Sequence, residues 1–163
     1  MTTPQPKDAC DLLDDDHKAV KKMFKEYAEL IEQPGSTKKP ALDKKRELVN
    51  KICLELNVHT QLEEEIFYPP VRKAIKDELL MNEAEVEHDG AKSLIAQIQS
   101  MDPADPMYDA KVTVLGEYVD HHVKEERTEM FTKARASKVN LVKMRDVLQA
   151  RRVELTADSA AMA

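Results

Sequence analysis

His59-Thr60-Gln61-Leu62-Glu63, running on through Glu64-Glu65-Ile66-Phe67-Tyr68-Pro69, and His122-Val123-Lys124-Glu125-Glu126, running on through Arg127-Thr128-Glu129-Met130-Phe131, are two copies of one pattern. On a helix, residues four apart stand one above the other, so each copy presents one imidazole and one carboxylate to a shared point. That pairing is metal-ligand geometry. His17 and His88 each precede one copy, and each takes a slot on the apolar stripe of its own stretch.

The stripes set the fold class. Leu13, His17, Val20, Phe24, Tyr27 and Ile31 recur at helical spacing over Ala9 to Gln33, where Pro34-Gly35 stops the run. A second helix, Leu42 to Tyr68, carries Leu48, Ile52, Leu56, His59, Glu63 and Phe67, and Pro69-Pro70 is expected to end it. A short helical segment through Leu80 leads to a third helix, Asn82 to Ser100, with Ala84, His88, Ala91, Ile95 and Ile98 on one face. The fourth, Met107 to Ala134, aligns Val112, Leu115, Val119, His122, Glu126 and Met130, whereas His121 and Glu125 fall on the line of Val114 and Tyr118. His122 is therefore the inward histidine of that pair. Lys138 to Leu155 reads as a capping helix, and 156–163 as a disordered tail beyond a single domain, 1–155.

A helix with one inward His followed by a helix with His-x-x-x-Glu thus occurs twice. Two such hairpins, closing face to face, make an all-α, up-down-up-down four-helix bundle with a pseudo-twofold site at its centre. Composition agrees: 163 residues suffice for one core, and three glycines with 4% aromatics and 34% charged residues leave little for a β-sandwich. A net charge of −6 without a basic stretch argues against nucleic acid as a partner. No apolar run is long enough to span a membrane. Two isolated cysteines, Cys10 and Cys53, and an N-terminus without a basic and apolar leader point to the cytoplasm.

Buried imidazoles and carboxylates cost several kcal/mol each unless compensated, so six on inward stripes call for a metal. Mixed nitrogen and oxygen donors suit iron or manganese better than a closed zinc site. A ferritin-like arrangement needs Glu-x-x-His on two helices, and the chain has it once, at Glu85 to His88.

Taken together, the motifs resemble the hemerythrin-like, or HHE cation-binding, family. The resemblance spans Asp11 to Lys133 and rests on Asp16-His17, His59-x-x-x-Glu63-Glu64 with Phe67-Tyr68-Pro69, Glu87-His88, and His122-x-x-x-Glu126 with Met130-Phe131. It implies a non-haem centre of two iron ions (Fe2+/Fe3+) with an oxo or hydroxo bridge. Glu63 and Glu126 would be bridging carboxylates, and His17, His59, His88 and His122 terminal ligands. It further implies dioxygen or hydrogen peroxide as the small-molecule ligand, in oxygen binding, sensing or catalase-like peroxide decomposition. Iron donation in the repair of nitrosative or oxidative damage, or iron storage, is the alternative. Oxygen-carrying hemerythrins have five histidines at the metals, two of them four apart on the third helix; here Ala84 and Lys92 stand at that distance from His88. The fourth-helix acid also comes four rather than five residues after its His. Unless Glu85, His121, Glu125 or Tyr27 adds a donor, six protein groups serve two ions, which leaves positions for water or substrate.

Overall fold

The computed structural model describes residues 7–162. Residues 1–6, including most of the stretch read above as lacking a leader, and Ala163 lie outside the described residues. Helix α1, Ala9–Glu32, opens on a reciprocal cap in which Asp8 Oδ1 accepts from the Asp11 amide at 2.9 Å while Asp11 Oδ2 accepts from the Asp8 amide at 3.2 Å. It ends at Gln33, before Pro34 and a left-handed Gly35 (φ 78).

Helix α2, Lys39–Leu62, begins three residues earlier than the stripe suggested, with Pro40 in its first turn, where a missing N–H costs nothing. Pro69-Pro70 does not end the helical run. A π-helical turn, Glu63–Phe67, carries the chain into α3, Tyr68–Ile75, and both prolines fall in the first turn of α3. Lys76 in the left-handed region (φ 53) and the Asp77 cap, which accepts from Leu80 N, then divide α3 from α4, Glu78–Gln99. The break lies at Lys76-Asp77 rather than after Leu80 because the cap residue is there.

Helix α5, Tyr108–Glu125, passes through a second π-helical turn, Glu126–Met130, into α6, Phe131–Ala136. Each π turn begins at the Glu of a His-x-x-x-Glu copy, and only the first precedes prolines, so proline is not their cause. The wider i→i+5 turn lets the fourth and fifth residues after each Glu both point inward. Phe67 with Tyr68, and Met130 with Phe131, are accordingly buried. Helix α7, Leu141–Met162, continues as helix where the sequence suggested a frayed tail. Alanines 157 and 160 favour helix there, Leu155 is buried, and Ser159 Oγ donates to the Leu155 carbonyl.

Among the described residues the architecture is all-α. Helices α1, α2, α4 and α5 form the four-helix bundle, and α7 packs across α1 and α2 at one end. The interior is layered along the bundle axis. One apolar cluster joins Leu13, Leu62, Phe67, Met81, Met130 and Leu148; the other joins Val20, Ile52, Leu56, Ile95, Val112 and Leu115. His17, His59, Glu63, His88, His122 and Glu126 lie between these clusters along the helices and are all buried.

Leu148 is fully buried in the cluster that α7 caps, whereas Val153 on the same helix is 70% exposed. Leu148→Ala is expected to cost about 2–5 kcal/mol, and Val153→Ala to stay within about 0.5 kcal/mol, by thermal or urea denaturation. Equal effects would mean that α7 does not pack as described.

Candidate metal centre

Each inward histidine turns Nε2 toward the middle of the layer. His59 Nε2 is 2.6 Å from Glu63 Oε1, four residues on along its own helical run, and 3.1 Å from His17 Nε2. His88 Nε2 is 3.6 Å from the same Glu63 oxygen. Glu126 reaches both sides: Oε1 is 3.1 Å from His17 Nε2, and Oε2 is 3.2 Å from His122 Nε2. Two overlapping donor sets result, His17, His59, Glu63 and Glu126 on one side and Glu63, His88 and His122 on the other.

The other ring nitrogens face outward to carboxylates. His17 Nδ1 lies 3.5 Å from Asp14, His59 Nδ1 2.9 Å from Asp16, His88 Nδ1 3.4 Å from Glu64 and His122 Nδ1 3.4 Å from Glu87. Three of these acids are held by a cation: Asp14 by Arg127 at 2.9 Å, Glu64 by Lys92 at 2.6 Å, and Asp16 by Arg152 of α7. A carboxylate on the far nitrogen fixes ring orientation and makes the inward nitrogen a better donor.

Several buried atoms in the layer have no hydrogen bond among the described residues, namely both oxygens of Glu63, Glu126 Oε1, and the Nδ1 atoms of His17 and His122. Orphaned carboxylate oxygens facing imidazole nitrogens fit a bound cation. Titration behaviour agrees. Burial works to lower the His59 value, but Glu63 and Asp16 outweigh it and carry it up to about 10. His17 and His122 are likewise raised, burial being outweighed by Glu126 together with Asp14 and Glu87 respectively. Burial opposes ionisation of Glu126, yet contacts with Glu63, His122 and His17 hold it well below the usual carboxylate range.

Tyr68 joins the layer from the residue after the first π turn. Its hydroxyl donates to Glu126 Oε2 at 2.7 Å and lies 3.1 Å from His88 Nε2 and 3.3 Å from His122 Nε2. The π turn that aims it inward left no separate trace in the apolar stripe. Tyr27, weighed above as a donor, is elsewhere: its hydroxyl donates to Asp109 at 2.5 Å, beside the buried Lys45, whose Nζ is 3.0 Å from the same carboxylate. His121 is outside the layer with its side chain 74% exposed, and Glu85 pairs with Arg72. Cys10 and Cys53 lie in the two apolar clusters, their thiols pushed up by burial to about 12 and about 11.

Two spaces adjoin the layer. A cavity of about 30 Å³ touches His17, His59, His88 and His122 and is walled by Val20, Leu56, Ile95 and Val119. A groove of about 940 Å³ between α1 and α5 reaches His17 and Phe131 from solvent, with Phe24, Val119 and Val123 along it and Lys18, Lys21 and Lys124 at its rim.

Comparison with known proteins bears on the fold and the family. A crystal structure of a hemerythrin HHE cation-binding domain-containing protein from Mycobacterium kansasii superposes with a TM-score of 0.76 at 17% identity, covering 94% of this chain and 90% of that one. A protein named DNA nickase, from Nostoc sp. (strain PCC 7120), is 29% identical over 125 residues; these are 77% of this chain but 33% of the relative, so the chain spans about a third of that protein's length. The family model described as hemerythrin HHE cation binding domain matches residues 8–134, which takes in every histidine and glutamate of the buried layer, and the chain belongs to that family.

Proposed function

We propose that the buried layer holds two iron ions, His17 and His59 serving one, His88 and His122 the other, with Glu63 and Glu126 shared, and that this pair interacts with dioxygen or hydrogen peroxide. The observation that carries the reading is Glu126, whose two oxygens stand 3.1 and 3.2 Å from histidines of opposite pairs. Imidazole and carboxylate donors without a thiolate favour iron or manganese over structural zinc. When bound, two such ions supply electron exchange with an oxygen ligand at coordination positions the protein leaves open.

The chain's own part is placement and exclusion. Asp14, Asp16, Glu64 and Glu87 orient the imidazoles. The apolar cavity of about 30 Å³ has room for a ligand of two heavy atoms or a water, not for a large substrate. The Tyr68 hydroxyl, which donates to Glu126 and stands beside His88 and His122, is a proton donor inside the layer. The nickase relative's name raises nucleic acid as a partner, but a net charge of −6 opposes a phosphate backbone, and the reading keeps to small oxygen species.

Anaerobic loading with ferrous iron followed by air tests the function. Dioxygen or peroxide chemistry is expected to give a new visible absorption band, or oxygen release on adding hydrogen peroxide; a loaded protein inert to both would refute it. Iron per chain should fall from two to one or none in Glu126→Ala and stay at two in His121→Ala, by chelator assay after desalting.

The metal-free protein carries a pH signature. His17, His59 and His122 have folded values above their ordinary 6.5, so their stabilisation is complete below that pH and is lost as pH rises through the folded values, about 10 for His59. Its melting temperature should therefore drop between pH 7 and pH 10. Iron-loaded protein, with imidazoles already neutral, should drop less, and loading at pH 7 should release protons measurable by a dye indicator.

A further inference from the structure

Three inward histidines share one outer arrangement, a carboxylate backed by a fixed cation: His17 with Asp14 and Arg127, His59 with Asp16 and Arg152, His88 with Glu64 and Lys92. The fourth breaks the pattern. His122, only 9% exposed, aims a buried Nδ1 without a hydrogen bond at Glu87 Oε1, 3.4 Å away. Among the described residues no lysine or arginine pairs with Glu87. Its neighbours are instead Glu125 and His121, one helical turn apart on α5, with His121 Nε2 3.7 Å from Glu125 Oε2. Glu83 is near enough to Glu125 to add a third negative charge.

One ligand atom from each of Glu87, His121 and Glu125 lies within 4.8 Å of the others. An ion about 2.0–2.2 Å from each donor needs them roughly 3–4 Å apart, which rotamer changes at this surface can supply. One imidazole and two carboxylates make a donor set for Mn2+, Fe2+ or Zn2+, and calcium, which takes six or more oxygens, fits poorly. The three side chains stand on two packed helices, α4 and α5, so the convergence does not depend on a loop.

We propose that Glu87, His121 and Glu125 form a surface site for a divalent transition-metal ion. The ion takes the place that a guanidinium or ammonium group holds behind the other three histidines. The proposal rests on the reading that all four histidines face the buried centre, and it adds a third ion outside that centre, one side chain away from His122.

The test uses full-length, iron-loaded protein, desalted and titrated with Mn2+, with free Mn2+ read from its electron paramagnetic resonance signal. One Mn2+ per chain is expected to bind, with affinity reduced about tenfold or more in the double variant His121→Ala/Glu125→Gln and unchanged in Glu47→Gln, an exposed acid on α2. Absence of saturable Mn2+ binding, or equal binding in the double variant, would overturn the proposal. Iron is counted separately on the same samples. The iron count tests the buried centre and the Mn2+ titration tests the surface site, so each reading fails on its own measurement. Folding of the double variant is checked by retention of its iron and its melting temperature.

Discussion

Ionised groups withdrawn from water must find opposite charge, and that constraint organises this molecule. Six titratable ligand-type side chains occupy one slab of the interior, closed above and below by apolar clusters. An uncompensated carboxylate there would cost more than most single core contacts contribute. The family's cation-binding character answers it from inside the slab. The ring of Asp14, Asp16, Glu64 and Glu87 answers it from outside, since each imidazole is gripped between an inner and an outer acid. Even the capping helix takes part, because Arg152 of α7 pairs with Asp16 and so bears on His59 at one remove.

Much of this was legible in the chain. A histidine in a slot meant for an apolar residue, repeated on four successive stripes, located the slab before any coordinate did. Register on the fourth helix separated His122 from its neighbour His121, because only one of two adjacent residues can lie on a given stripe. What stayed hidden was non-periodic. Lys45 stands on the line of the second stripe, seven residues before Ile52, but nothing local indicates that Asp109 of α5 and Tyr27 of α1 would meet a lysine in the interior. Asp16, Glu64 and Glu87 stood in the motifs, but no spacing assigned each to a ring, since the histidines they face, His59, His88 and His122, lie on other helices.

The prolines misled for a more specific reason. Pro69-Pro70 would end an α-helix, because each removes an intrahelical donor and its ring crowds the preceding turn. A π turn immediately before them changes which carbonyls seek donors and lets a new helix start at Tyr68. The same turn at Glu126–Met130, without a proline, indicates that the shared feature is the glutamate of each His-x-x-x-Glu copy. Inserting one residue there directs two successive bulky side chains inward, a packing result that a regular α-helix does not give.

That insertion also shows where the pseudo-twofold repeat fails. The fifth residue after Glu63 is Tyr68, whose hydroxyl stands among His88, His122 and Glu126. The fifth after Glu126 is Phe131, whose ring stacks on His17 at 6.0 Å and 9°. The two histidine pairs are therefore inequivalent: one is beside a hydroxyl that can donate, the other beside an apolar ring that cannot. The solvent groove ends on the second of these, at His17 and Phe131. The groove and the Tyr68 hydroxyl therefore meet the layer at different histidine pairs. A single oxygen atom, present in Tyr68 and missing from Phe131, thus makes the two halves of the layer chemically different although the histidine and glutamate pattern repeats.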